Sequence, residues 1–176
     1  MENIYESIPL GEKAPEVVNV IVEIPKGSHN KYELDEKLGI IKLDRVFYSP
    51  FYYPLDYGFI PQTRSEDGDH LDALIIGSDP VPTGVLVEAR PIGMLNMIDS
   101  GEADPKLLCV QAKNPRFDTI KDIKDIEAWQ PHLLKEIVHF MEHYKDLQGK
   151  KVTTNGWGDA QAAYVEIKKA AEAYKK

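Results

Sequence analysis

The chain has 176 residues, enough for one domain with its own core and too few for two of ordinary size. Hydrophobic residues make up 43% and charged residues 28%, a globular composition that excludes a disordered or fibrous chain. The formal net charge of -8 excludes a general nucleic-acid binder, which needs a basic face, but not an anionic substrate, because bound divalent cations reverse the local field.

The N-terminal stretch "MENIYESIPLGEKAPE" has no basic segment followed by an apolar one, so no secretory leader is expected. No apolar run approaches the roughly 20 residues that span a bilayer, so no membrane partner is expected either. The apolar run "VVNVIVEIP" (17–25) is β-rich and stops at a proline. "KYELD" and "GIIKLDRVF" flank the turn "EKLG", which predicts a hairpin with Gly39 in the turn. "LDALIIG", "GVLVEARPIGMLNMI" and "KLLCVQA" supply further strands, separated by "DPVPTG" and "SGEADP". The last of these strands holds the single cysteine, Cys109. It reads as a buried strand residue, and a lone cysteine points to a reducing, cytoplasmic setting.

The period changes in the last third. In "PHLLKEIVHFMEHYKDLQG", Leu133, Leu134, Ile137, Val138, Met141 and Tyr144 follow helical spacing, with Pro131 at the start and Gly149 past the end. "DAQAAYVEIKKAAEAYKK" predicts a second helix with Ala163, Tyr164, Ile167, Ala170 and Tyr174 on its apolar stripe. Strands first and helices last suit an α+β, β-dominated fold: a small barrel with two main helices packed outside it, in one domain over 1–176.

Chemistry concentrates in a few stretches. "SEDGDHLDAL" crowds Asp67, Asp69 and Asp72 around a glycine. Like charges that close need a counter-charge or full solvation. The stretch is a solvated acidic turn or a site for an oxygen-seeking cation such as magnesium, manganese or calcium. "MIDSGEADPK" adds Asp99, Glu102, Asp104 and Lys106 at a strand end. Two such clusters in one small domain favour a shared metal site, which activates water and holds phosphate together. In "NKYELD", Lys31 and Glu33 fall on one strand face, with Arg45 across the hairpin. They form either cross-strand ion pairs or a phosphate clamp. The aromatics of "FYYPLDYGFIP" are core or interface residues whose hydroxyls can also donate to phosphoryl oxygens. Lys145 either complements a helix C-terminus or joins the site. His139 and His143, four apart, lack a zincin's catalytic glutamate and suit a surface or a subunit contact.

In this order the pieces resemble the soluble family I inorganic pyrophosphatases of prokaryotic type. The resemblance runs from "APEVVNVIVEIPKGS" to "GWGDAQAA" and centres on "EDGDHLDAL", which matches the family signature except at His70, where proline is usual. "VEIPKGSHNKYELD", "LDRV", "YPLDYGFIP", "RPIGMLNMIDSGEADPK" and "HFMEHYKDL" support it.

The resemblance implies a five-stranded OB-type closed barrel with added strands and helices. It implies hydrolysis of pyrophosphate to two orthophosphates, with several magnesium ions and no covalent intermediate. Attack would come from a metal-bridging hydroxide, with Asp69 as general base. It places Asp67, Asp72, Asp99, Asp104 and Glu33 as metal ligands. It gives Lys31, Arg45, Tyr57, Lys106, Tyr144 and Lys145 phosphoryl oxygens to bind. Glu23 is an outer acid, and Tyr53 supports the site through hydrogen bonds. A homohexamer is implied, with His139 and His143 as candidates for a subunit contact. There are two departures. Ser100 stands where many members have glutamate, with Glu102 nearby, and His70 tunes the loop's mobility or titrates near neutral pH. Two other readings remain open: a metal-dependent hydrolase of nucleotides or other polyphosphates, and a non-enzymatic OB-type binding module.

Overall fold

In a computed structural model, which describes residues 4–175, the apolar runs are strands. They are β1 (Val18–Ile24), β2 (Asn30–Asp35), β3 (Ile40–Val46), β4 (Asp56–Ile60), β5 (Leu71–Ile76), β6 (Leu86–Asp99), β7 (Glu102–Ala103), β8 (Lys106–Gln111) and β9 (Val152–Asp159). The α-helices are α1 (Ile123–Trp129), α2 (Pro131–His143) and α3 (Ala160–Tyr174). The fold is β-dominated, with a mixed sheet and helices on its surface. No described helix is long and apolar enough to cross a membrane.

Strands pair in the order β1-β4-β5-β8-β6-β7, with β9 on β6. β1 also pairs with β6 from Val18 to Ile21, so β1, β4, β5, β8 and β6 pair in a ring. β5 and β8 run parallel, and the other pairs are antiparallel. β2 and β3 form a separate two-stranded sheet, the hairpin expected from the sequence.

The continuous apolar runs arise because both faces of these strands are buried. Side chains alternate across a strand. Leu71, Ala73 and Ile75 of β5 join Leu107 and Cys109 of β8 in a core beneath Ala163, Ile167 and Ala170 of α3. Leu74, Ile76, Leu108 and Val110 face the opposite core, closed by Ile123 and Ile126 of α1 and Leu134, Ile137 and Phe140 of α2. Each fully buried Leu or Ile contributes about 1.5–3 kcal/mol. Asp72 and Lys106 share the parity of this second layer and lie at its open end, side by side in the parallel register.

Some elements were absent from the sequence reading. α1 is only seven residues long, and its start is defined by a capping box between Asp122 and Asp125. β4 falls in "YPLDYGFIP", and β9 in the glycine-rich "VTTNGWGD". Gly149 does not end α2. The helix stops at Tyr144, and Gly149, at φ 69°, closes a later 3₁₀ turn. The break falls at Lys145, whose side chain turns to Asp99.

Candidate active site

One cleft of about 370 Å³ gathers every residue to which the resemblance gives a site role except Tyr53. The turn over 65–69 presents the first acids. Asp67 Oδ1 accepts from the Asp69 N–H at 3.0 Å, and the Ser65 N–H donates to the Asp69 carbonyl at 2.8 Å. Gly68 stands at φ 88°, a conformation glycine adopts without cost. The turn thus holds Asp67 and Asp69 close together at the mouth of β5.

Asp72 is the one incompletely buried residue of β5. Its Oδ2 accepts from Tyr57 Oη and Lys106 Nζ, each at 2.5 Å. Tyr57 reaches it from β4, which lies against β1 at Gly58. A Cβ on Gly58 would stand 1.9 Å from the Ile21 carbonyl oxygen. Lys106 is 4% exposed and also donates to Asp104 Oδ1 at 2.5 Å. Burial alone would push its pKa down, but the Asp72 and Asp104 carboxylates more than reverse this and raise it. Asp104 is fixed by its N–H, which donates to the Met97 carbonyl at 2.9 Å. Asp99 ends β6 and pairs with Lys145. Burial opposes its ionisation, but the Lys145 ammonium outweighs that and holds the carboxyl below its usual range.

The hairpin forms the facing part. Lys31 lies opposite Arg45, and a β-bulge follows in the register. The bulge turns Asp44 inward as well, where it accepts from Arg45 Nη1 at 2.5 Å and lies 3.5 Å from Lys31 Nζ. Lys31 also pairs with Glu33. Tyr144 and Tyr57 are both buried beside the cleft. Tyr53 lies behind them, with ring contacts to Tyr57 and Phe140 and backbone hydrogen bonds to Ser28 and Gly27.

Charge decides what such a cleft can hold. Among the described residues, eight carboxylates line it against four lysines and one arginine. Burial, then the charges of Asp67 and Asp72, raise the pKa of Asp69. Burial, then Asp72, push Glu23 up to about 8. Among the described residues no three Asp, Glu, His or Cys side chains already close on one point, because lysines take up the carboxylates instead. The surplus of hard oxygen donors fits divalent cations.

Comparison with known proteins agrees with this chemistry. A family model described as inorganic pyrophosphatase matches residues 20–175. The chain belongs to the inorganic pyrophosphatase family. An inorganic pyrophosphatase of Picrophilus torridus is 46% identical over 172 residues, 98% of this chain and 96% of that one. One from Geobacillus stearothermophilus is 50% identical over 147 residues, 84% and 87% of the two chains. The crystal structure of inorganic pyrophosphatase from Thermus thermophilus superposes with a TM-score of 0.93 at 46% identity, covering 98% and 99% of the chains.

Within this pyrophosphatase, the residues missed from sequence are Asp44, Glu36 and Lys150, which also line or adjoin the cleft. Asp44 lies in the quoted "LDRV", but only the bulge turns it inward. His70 is packed on both sides. It stacks on Phe59 with ring centroids 5.0 Å apart, and Nδ1 lies 2.9 Å from the Thr63 carbonyl oxygen. Burial, then the Arg64 guanidinium, lower its pKa. Ser100, at φ 53°, donates to Asp99 Oδ1 at 2.9 Å. Glu102 is exposed on β7 and is not among the lining residues. His139 and His143 are ring neighbours at 4.5 Å on α2, away from the cleft.

Glu23 yields a pH prediction. Its carboxylate accepts the Leu34 N–H at 2.7 Å. Folded, burial raises its pKa from the ordinary glutamate range to about 8. The folded state therefore binds more protons over that interval, and stability falls as pH rises through it. Glu23→Gln keeps an acceptor for Leu34 and removes this slope. In metal-free protein the variant is expected to melt higher than the parent at pH 9 and alike at pH 4.5, read by calorimetry. Equal melting at both pH values would show that Glu23 ionises normally.

Proposed function

We propose that this chain hydrolyses pyrophosphate to two orthophosphates with magnesium ions, by direct attack of water. The observation that carries the reading is the mixed cleft, in which Asp67, Asp69, Asp72, Asp99 and Asp104 meet Lys31, Arg45, Lys106 and Lys145. Neither sign alone suits the task. Pyrophosphate is a polyanion that carboxylates repel, and cations alone would leave no ligands for a metal. When bound, divalent cations neutralise phosphoryl charge and lower the pKa of a water they hold. Asp67, Asp72, Asp99, Asp104 and Glu33 are the proposed ligands.

The chain's own groups do the rest. Asp69 accepts the water's proton at its carboxylate, and its raised pKa brings it nearer to a neutral operating pH. Lys31 and Arg45 hold one phosphoryl group from the hairpin. Lys106, Lys145 and Tyr144 donate to oxygens whose charge grows as the bond breaks, and Tyr57 joins them by giving up its hydrogen bond to Asp72. Glu23 holds the hairpin strand from behind. No serine or cysteine lines the cleft among the described residues, and the Cys109 thiol is buried with a raised pKa. This argues against a seryl or cysteinyl intermediate and is compatible with direct attack of water.

The ring of β1, β4, β5, β8 and β6 supports reading the core as a five-stranded OB-type closed barrel within one domain over 1–176. We also propose a cytoplasmic homohexamer, with His139 and His143 at a subunit contact. The deciding assay is phosphate release from pyrophosphate, ATP and tripolyphosphate, with magnesium and with chelator. Release from pyrophosphate that needs magnesium and greatly exceeds the other two is expected. Equal release from all three would favour a general polyphosphate hydrolase, and none would favour a binding module.

A further inference from the structure

The hairpin that carries Lys31, Glu33 and Arg45 is a separate two-stranded sheet, so its position over the cleft must be set by side chains. At its open end the Phe47 N–H donates to the His29 carbonyl at 3.0 Å, which only extends the hairpin's own ladder. Toward the turn, Glu23 accepts the Leu34 N–H at 2.7 Å. The turn itself is held by a further pair of side chains. We propose that Glu36, at the hairpin turn, and Arg64 form a clasp that fixes the hairpin opposite the aspartate turn, making both of them positioning residues for catalysis.

Arg64 meets Glu36 with both prongs: Nη1 donates to Oε1 at 2.6 Å and Nη2 to Oε2 at 3.1 Å. Such forked pairing constrains orientation as well as distance. Glu36 Oε1 also lies 3.1 Å from His70 Nε2. Each partner is itself anchored. The Arg64 N–H donates to the Ala170 carbonyl of α3 at 2.9 Å, and its guanidinium lies 5.4 Å from the Tyr174 ring centroid. His70 is wedged between Phe59 and the Thr63 carbonyl. The clasp therefore ties the hairpin turn to the segment that bears Asp67 and Asp69, and both to α3. Arg64 is not a lining residue of the cleft, so its effect on substrate passes through the groups it holds, Glu36 first. The pair is partly solvated, at 40% and 27% side-chain exposure, so its contribution to global stability is small and its effect is local.

The kinetic arm of the test rests on the pyrophosphatase reading, and the exchange arm does not. The full chain with magnesium is compared as parent, Arg64→Gln, Glu36→Gln, the double variant and Arg64→Lys. Each glutamine variant is expected to raise KM for pyrophosphate about two- to fivefold, the scale of one partly exposed forked pair, with kcat unchanged. Amide exchange over 33–45 quickens by a similar factor while β5 and β8 stay protected. The double variant loses less than the two single losses combined, because the forked pair is shared, and Arg64→Lys recovers part of the loss.

Unchanged KM in the single variants overturns the positioning role, whatever the hairpin exchange does. Quickened exchange throughout the chain with a lowered Tm overturns it too, as a merely structural effect. If the parent releases no phosphate from pyrophosphate, the functional reading fails, and exchange over 33–45 alone decides whether the clasp exists.

Discussion

Asp69→Asn is expected to lower kcat by roughly 10²-fold or more, the scale of a lost general base, while divalent-cation binding persists. Asparagine keeps the shape and the backbone turn, since the turn is held by the Asp69 N–H and carbonyl rather than by its side chain. It removes only the carboxylate that accepts a proton. Asp67 and Asp72 remain as ligands, and removing a like charge between them relieves repulsion. Stopped-flow phosphate release at saturating magnesium, with calorimetric titration of the metal, separates the two effects. Full kcat once magnesium is saturating would make Asp69 a ligand and leave the base elsewhere.

Lys106→Met is expected to be the most destabilising change at the site. Lys106 is buried between Asp72 and Asp104, at 2.5 Å from each. Methionine matches its length and leaves both carboxylates without their cation. Breaking a buried pair by removing one partner costs about 3–5 kcal/mol. The loss should appear in full in urea melts with chelator and shrink with magnesium, which supplies positive charge to the same oxygens. Activity should fall by about 10²–10³-fold, as when a preorganised donor to developing charge is lost. Melts that match the parent in chelator would mean the two aspartates are adequately solvated without Lys106.

The strands that the sequence revealed are those whose apolar character is continuous. "LDALIIG" and "KLLCVQA" announce burial on both faces, and the structure places both between two cores. Likewise α2 was legible because its stripe is local. β4 was not, because "DYGFI" becomes a strand through β1 and β5, and its glycine is required by the Ile21 carbonyl rather than by a turn. β9 mixes the strand-favouring Val152, Thr153, Thr154 and Trp157 with Asn155, Gly156 and Gly158, and forms on the long edge of β6. At the site, the aspartate spacing showed that the acids belong together. It could not show which cation meets which acid, because Asp72 and Lys106 are neighbours only through parallel pairing. The bulge that turns Asp44 inward has no mark in composition. His70 looked like a loop variant and proved to be packed, because Phe59 and Thr63 reach it from across the fold.

The parallel pairing of β5 and β8 also bears on the order of assembly. β8 lies between β5 and β6, although the chain builds β6 first. Closing the ring therefore requires the β6–β8 pair to meet β5, a non-local pairing of the kind that slows folding. That same step delivers Lys106 to Asp72 and brings Asp104 beside them. Cation affinity thus reports completion: a folding species without β8 in place lacks the full ligand set, so magnesium should chiefly slow unfolding rather than speed the early stages of folding.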